Sequence, residues 1–77
     1  MAIGFVHVKT APAAERAVYN ALKDLEEAVE IHTLFGEYDL IVKLEAEDIK
    51  DIGNVVVDKI ETIEGVEDTK TLIGMDF

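Results

Sequence analysis

The tetrapeptide Gly36-Glu37-Tyr38-Asp39 divides two apolar, β-branched runs, residues 28–35 and 40–44. Runs of that kind joined by a short glycine-led turn read as a β-hairpin, because Gly accepts the positive φ that the first central position of a type II′ turn needs. The spacing predicts a two-residue turn, with Asp39 at the mouth of the following strand. A carboxylate beside exposed turn amides suits a free α-amino acid: the carboxylate holds the ammonium and the amides hold the ligand carboxylate. The same residues are also what a plain turn uses, Gly for its φ and Asp as an exposed strand residue.

The rest of the chain can be placed around that hairpin. Residues 3–9 read as a first strand, broken by Thr10-Ala11-Pro12, where Thr10 or Pro12 suits a helix start. From Ala13 the apolar positions Ala14, Ala17, Val18, Ala21, Leu22 and Leu25 keep helical spacing. A second helix is predicted from Glu47 or Asp48 to about Ile63, with Ile49, Ile52, Val56, Ile60 and Ile63 on one stripe. Its periodicity outweighs the weak helix propensity of Gly53 and of Val55-Val56-Val57. Glu64-Gly65 closes it, and residues 66–75 form a last strand.

The resulting order, β-α-β-β-α-β, is the ferredoxin-like plan of the α+β class. Right-handed crossovers put both helices on one face of a four-stranded antiparallel sheet. The strands are too apolar for the opposite face to stand in water. Strand one sets Ile3 and Phe5 against Val6 and Val8; strand three sets Tyr38, Leu40, Val42 and Leu44 against Ile41. The simplest cover is the same face of another copy, so the pattern predicts a homodimer with a dimeric α+β barrel type of assembly.

At 77 residues the chain makes one domain, 1–77, of a size at which monomers are marginal. With 17 acidic and 7 basic residues its net charge is −10, which repels a phosphate backbone and argues against direct nucleic-acid binding. No cysteine is present, which excludes disulfides and thiolate metal sites. The N-terminus lacks the pattern of a signal peptide, and no apolar run reaches the roughly 20 residues that span a bilayer. The expected location is cytoplasmic, away from membranes.

Three features now bear comparison with a known family. The Gly36-Glu37-Tyr38-Asp39 turn followed by Leu40-Ile41-Val42 is similar to a glycine-x-tyrosine-aspartate turn. Ile60-Glu61-Thr62-Ile63-Glu64-Gly65-Val66 resembles an isoleucine-to-glycine-valine approach to the last strand, and Thr69-Lys70-Thr71 a threonine-x-threonine element. In this order they resemble the effector-binding (RAM) domain of the Lrp/AsnC transcriptional regulators. With Met1 almost at the first strand, the resemblance implies a stand-alone effector domain without the family's helix-turn-helix. It implies dimers assembling into larger rings, amino acids bound between dimers, and possible co-assembly with full-length regulators. Carried over residue by residue, the ligand-binding candidates are Gly36, Asp39, Thr69 and Thr71, with Tyr38 beside them. Asp39 would face the α-ammonium, Gly36 would give backbone access, and the threonines would offer hydroxyls or amides to the carboxylate.

Other readings remain beside this one. Thr69 and Thr71 are ordinary strand formers, and Tyr38 suits core or interface packing. An ACT-type regulatory domain shares the topology, but the glycine-containing turn expected after its first strand is replaced by Thr10-Ala11-Pro12-Ala13. A small dimeric α+β barrel enzyme would have only His7 to recommend it. His7 and His32 fall on strands separated by strand three, which disfavours a shared metal site. Glu45-Ala46-Glu47-Asp48 lacks the glycine and alternating ligands of a calcium loop. Serine and cysteine are both absent, so no catalytic residue, metal or cofactor is assigned, and the expected function is non-enzymatic amino-acid binding.

Overall fold

The computed structural model describes residues 1–74. Strand β1 (Ala2–Thr10) leads to helix α1 (Glu15–Lys23), the antiparallel strands β2 (Ala28–Thr33) and β3 (Leu40–Ala46), helix α2 (Ile49–Val55) with a π-helical extension (Val56–Ile60), and strand β4 (Val66–Gly74). The sheet order is β2-β3-β1-β4, all pairs antiparallel, which is the ferredoxin-like arrangement expected. Met75, placed in the last strand by its sequence, lies outside the described residues.

Alternation along the strands separates the two faces. Val6 and Val8 of β1 and Leu40, Val42 and Leu44 of β3 are fully buried, and they meet Val18 and Leu22 of α1 and Ile52, Val55, Val56 and Ile60 of α2 and its extension. Gly4 sits on this face because α2 approaches closely: a Cβ there would lie 2.7 Å from Ile52 Cγ2. The odd-numbered residues of β1 and β3 point the other way. Phe5 stands opposite Leu72 and His7 opposite Ile41, and Phe5 and Leu72 are exposed. This second face is the apolar, uncovered one.

Both helices differ from their expected bounds for local reasons. Helix α1 begins two residues late because Ala13 has a left-handed backbone, φ 67°, which stops the helix from reaching back to Pro12. Helix α2 starts on schedule: the Asp48 carboxylate accepts from Asp51 N–H at 2.9 Å and caps it. Ile49, on the predicted apolar stripe, is in fact exposed, and Val55 is buried in addition. Past the β-branched Val55-Val56-Val57 run, the ladder widens, with Glu61 N–H donating to Val56 O at 2.8 Å.

The final turn rests on Gly65. Its φ of +102° favours glycine, and a Cβ would come within 2.9 Å of Ala14 Cβ and 3.1 Å of Val18 Cγ2. Its carbonyl accepts Ala11 N–H at 2.8 Å, joining the loop before β4 to the loop after β1.

Candidate functional site

The hairpin turn is longer than its sequence suggests. Thr33 pairs with Leu40, and Leu34 N–H donates to Asp39 O at 2.8 Å, so the bond closes a four-residue loop, Phe35, Gly36, Glu37 and Tyr38, in place of a two-residue type II′ turn. Gly36 has φ +145°, a backbone state that L side chains rarely adopt, yet a Cβ there would meet nothing within 4 Å. Glycine is needed for conformation alone, and the space beside it is open.

Asp39 is fastened more firmly than an exposed strand residue. Its N–H donates to Val8 O at 2.9 Å. Its Oδ2 accepts from Thr10 N–H at 2.8 Å and from the Thr10 hydroxyl at 3.1 Å. Thr10 is buried and stands at the irregularity where the β1–β4 register shifts between Lys9 and Thr10. One carboxylate oxygen therefore satisfies a buried amide that the strand ladder leaves at the bulge. Asp39 is therefore more than the exposed strand residue of a plain turn: it clasps β3 to β1. Its other oxygen, Oδ1, has no partner among the described residues.

Tyr38 does not continue the alternation of Leu40 and Val42, because the loop intervenes. Its ring meets His7 edge-on, centroids 5.5 Å apart at 70°, on the edge of the uncovered sheet face. The turn thus sets Tyr38 against His7 and, separately, Asp39 against Thr10, with Gly36 in the same loop. Thr10 and His7 were not singled out as partners of the turn by sequence; nothing local links Thr10 to a residue 29 positions away.

Thr69 and Thr71 lie elsewhere on the chain's surface. They pair with Val8 and Val6 on the far side of β1, two strand spacings or about 10 Å from β3. The Thr69 hydroxyl donates to Glu61 Oε2 at 3.0 Å, and its amide donates to Asp68 Oδ1 at 2.9 Å. Within one chain, the turn and the two threonines form two separate patches.

A larger groove, about 970 Å³, runs between β2, β3 and α2 and contains none of these residues. Six carboxylates line it, from Glu26, Glu27, Glu45, Glu47, Asp51 and Asp58, with Lys59 as its one basic side chain. Lys59 is already committed to Glu27 at 2.7 Å. That hydrogen bond holds the Glu27 carboxyl below the usual range and raises the lysine above its own. An amino acid's carboxylate would be repelled there. Among the described residues, no cluster of three or more His, Cys, Asp or Glu is arranged to hold a metal ion, and no helix is long and apolar enough to cross a membrane.

The family described as Lrp/AsnC ligand binding domain matches residues 3–76. The chain belongs to the Lrp/AsnC ligand-binding domain family. Among its relatives, an uncharacterised helix-turn-helix-type transcriptional regulator of Pyrococcus abyssi is 32% identical over 62 residues, 80% of this chain and 41% of that protein. The chain thus spans about two fifths of the length of the curated relatives it first matches. The solved structure of FFRP-DM1 superposes with a TM-score of 0.93 at 35% identity, covering 97% of this chain and 100% of that one. A transcriptional regulator of Neisseria meningitidis, solved as a complex with L-Met, shares the fold: TM-score 0.87, 19% identity, 97% of this chain and 50% of that one. Membership in this family supports an effector-binding, regulatory role for the Lrp/AsnC domain described here.

Proposed function

We propose that this Lrp/AsnC domain binds a free α-amino acid at the 36–39 turn and acts without catalysis, by changing its own assembly or by co-assembling with DNA-binding relatives. The observation that carries the reading is the divided carboxylate of Asp39. Oδ2 is held by Thr10, which fixes the side chain in place, while Oδ1 has no partner among the described residues. A pre-positioned carboxylate loses little freedom when it receives an ammonium. That the distantly similar Neisseria regulator was solved with L-Met supports an amino acid as the ligand class.

The uncovered sheet face supports a homodimer as the basic unit. Phe5, Leu72, Ile3 and Ile41 make it apolar, and a like face supplies matching apolar surface. β1 separates the turn from Thr69 and Thr71 within one chain, and a site formed between two copies would bring the turn of one copy to the threonines of the other. With a net charge of −10, contact with DNA would come through a helix-turn-helix partner and not through this domain.

The test is a thermal-shift screen against the common amino acids, followed by calorimetric titration of those that raise the melting temperature. Asp39→Asn is the informative variant: it keeps an acceptor for Thr10 and removes the negative charge. Losing a charge-assisted hydrogen bond of about 1.5–3 kcal/mol lowers affinity roughly ten- to a hundred-fold. Equal affinity in the parent and Asp39→Asn would remove the carboxylate from recognition.

A further inference from the structure

The uncovered sheet face differs in charge from the rest of the molecule. Strand register places three lysines on it, Lys9, Lys43 and Lys70, and three carboxylates, Glu30, Glu45 and Asp68. The face is therefore neutral, and the chain's net charge of −10 is carried elsewhere. Two copies so acidic repel each other in most orientations, but not face to face. That neutrality, beside the exposed Phe5 and Leu72, supports a second copy as the cover.

His7 stands within this face, opposite Ile41 on β3 and Lys70 on β4. Side chains directly opposite one another on antiparallel strands are about 4.5–5.5 Å apart at Cβ. Lys9 lies two residues further along the same strand face, and Lys43, opposite Phe5, is the diagonal neighbour on β3. From the hairpin loop the Tyr38 ring meets His7 edge-on at 5.5 Å. Among the described residues no carboxylate stands directly opposite it. Asp68 is one row away, opposite Lys9; Asp39 Oδ2 is taken by Thr10; Glu30 and Glu45 flank Lys43 at 3.5 and 4.0 Å. His32 is placed differently. It is exposed, and its Nε2 lies 3.2 Å from Glu30 Oε1, so a proton there is matched by a carboxylate.

A proton on His7 thus joins a group of lysines, on a surface that association removes from water. Like charge and desolvation both oppose it there. In separate chains, water and salt screen the same charge. We propose that His7 is a pH switch on the sheet-face dimer, which closes while the imidazole is neutral and opens when it is protonated. The inference rests on the dimer proposed above and adds its regulation. Proton uptake accompanies dissociation, so association weakens as pH falls through the ordinary histidine range, near about 6.5. Each copy contributes one His7, and both must be neutral in the dimer. The dimer Kd therefore rises roughly a hundredfold between about pH 7.5 and about pH 5.5. Ordinary carboxylates stay ionised across that window.

Fluorescence-detected sedimentation of the full chain, labelled at its α-amino group to spare the lysines, gives the dimer–monomer Kd at both pH values and constant ionic strength. The parent and His32→Gln should dimerise at the higher pH and weaken together at the lower one. His7→Gln should dimerise with a Kd nearly independent of pH, and His7→Lys should be weak at both. A parent Kd that does not move with pH, or a His7→Gln protein that weakens as the parent does, overturns the proposal and leaves the dimer standing. A parent that is monomeric at the higher pH refutes the dimer and the switch with it. If His7→Gln dissociates at both pH values through loss of its Tyr38 contact, Lys70→Gln decides. It should show a smaller fold-change than the parent, and an equal one overturns the proposal. Far-ultraviolet circular dichroism at both pH values checks that each variant stays folded.

Discussion

Replacing Asp39 with Ala tests the clasp between β3 and β1 without any ligand. The substitution removes the acceptor of Thr10 N–H at 2.8 Å and of the Thr10 hydroxyl at 3.1 Å. Thr10 is 6% exposed, so water has little access to the amide left behind. An unsatisfied buried donor costs about 1–3 kcal/mol, and a hydrogen bond to a charged group contributes about 1.5–3 kcal/mol. These overlap as descriptions of the same loss, so the expected destabilisation is about 1.5–3 kcal/mol. At about 4–8 °C per kcal/mol for a domain of this size, the melting temperature should fall by roughly 6–24 °C. Asp39→Asn retains an oxygen acceptor and should lose much less. Urea unfolding of both variants at the parent's protein concentration gives the comparison, with concentration fixed because assembly shifts apparent stability. Equal midpoints for the parent and Asp39→Ala would show that Thr10 does not depend on the carboxylate.

Two further substitutions separate backbone strain from steric crowding. Gly65→Ala meets both, since its φ is +102° and the new methyl would lie 2.9 Å from Ala14 Cβ, so a loss of about 2 kcal/mol or more is expected in chemical denaturation. Gly36→Ala meets open space and carries only the strain of φ +145°, so its loss should be smaller, about 1–2 kcal/mol. The Glu27–Lys59 pair gives a pH signature. The folded-state carboxyl of Glu27 is lowered by the lysine hydrogen bond, so its contribution is present above the ordinary glutamate range and is lost as pH falls through the lowered value. Lys59 is raised by the same bond, so its contribution holds below the ordinary lysine range and is lost as pH rises through the raised value. Lys59→Met should flatten both limbs of a stability–pH curve, and an unchanged curve would show that the pair contributes nothing.

The element order was legible because period-two and period-3.6 patterns in this chain seldom compete. The even-numbered positions of β1 and β3 are the buried ones, as alternation requires, and Val18 and Leu22 lie on the stripe read from α1. Three things were not legible. The start of α1 depends on a left-handed Ala13, which no side-chain pattern marks. The length of the hairpin loop was hidden by Phe35, whose hydrophobicity extends the apparent strand although its ring points into solvent. Hydrophobicity records a preference for burial but does not say against which chain. The clasp on Asp39 was hidden because it joins residues 29 positions apart through a bulge. The clasp on β1 occupies one oxygen of the motif's carboxylate, and the ligand contact proposed above would use the other.

Those two roles bear on how binding could be felt by assembly. Asp39 is tied through its backbone to Val8 and to Leu34, and through Oδ2 to Thr10, so it links the end of β1 to the base of the loop that carries Phe35. A ligand drawn to Oδ1 therefore adds to a residue whose position is already set by both elements. It can alter assembly only by the difference in its affinity for the assembled and unassembled forms. Linkage then works in both directions: assembly must raise the affinity for the amino acid by the same factor as the amino acid raises assembly, with each tenfold equivalent to about 1.4 kcal/mol. A turn that bound its ligand equally well in both forms would report nothing, however tightly it bound.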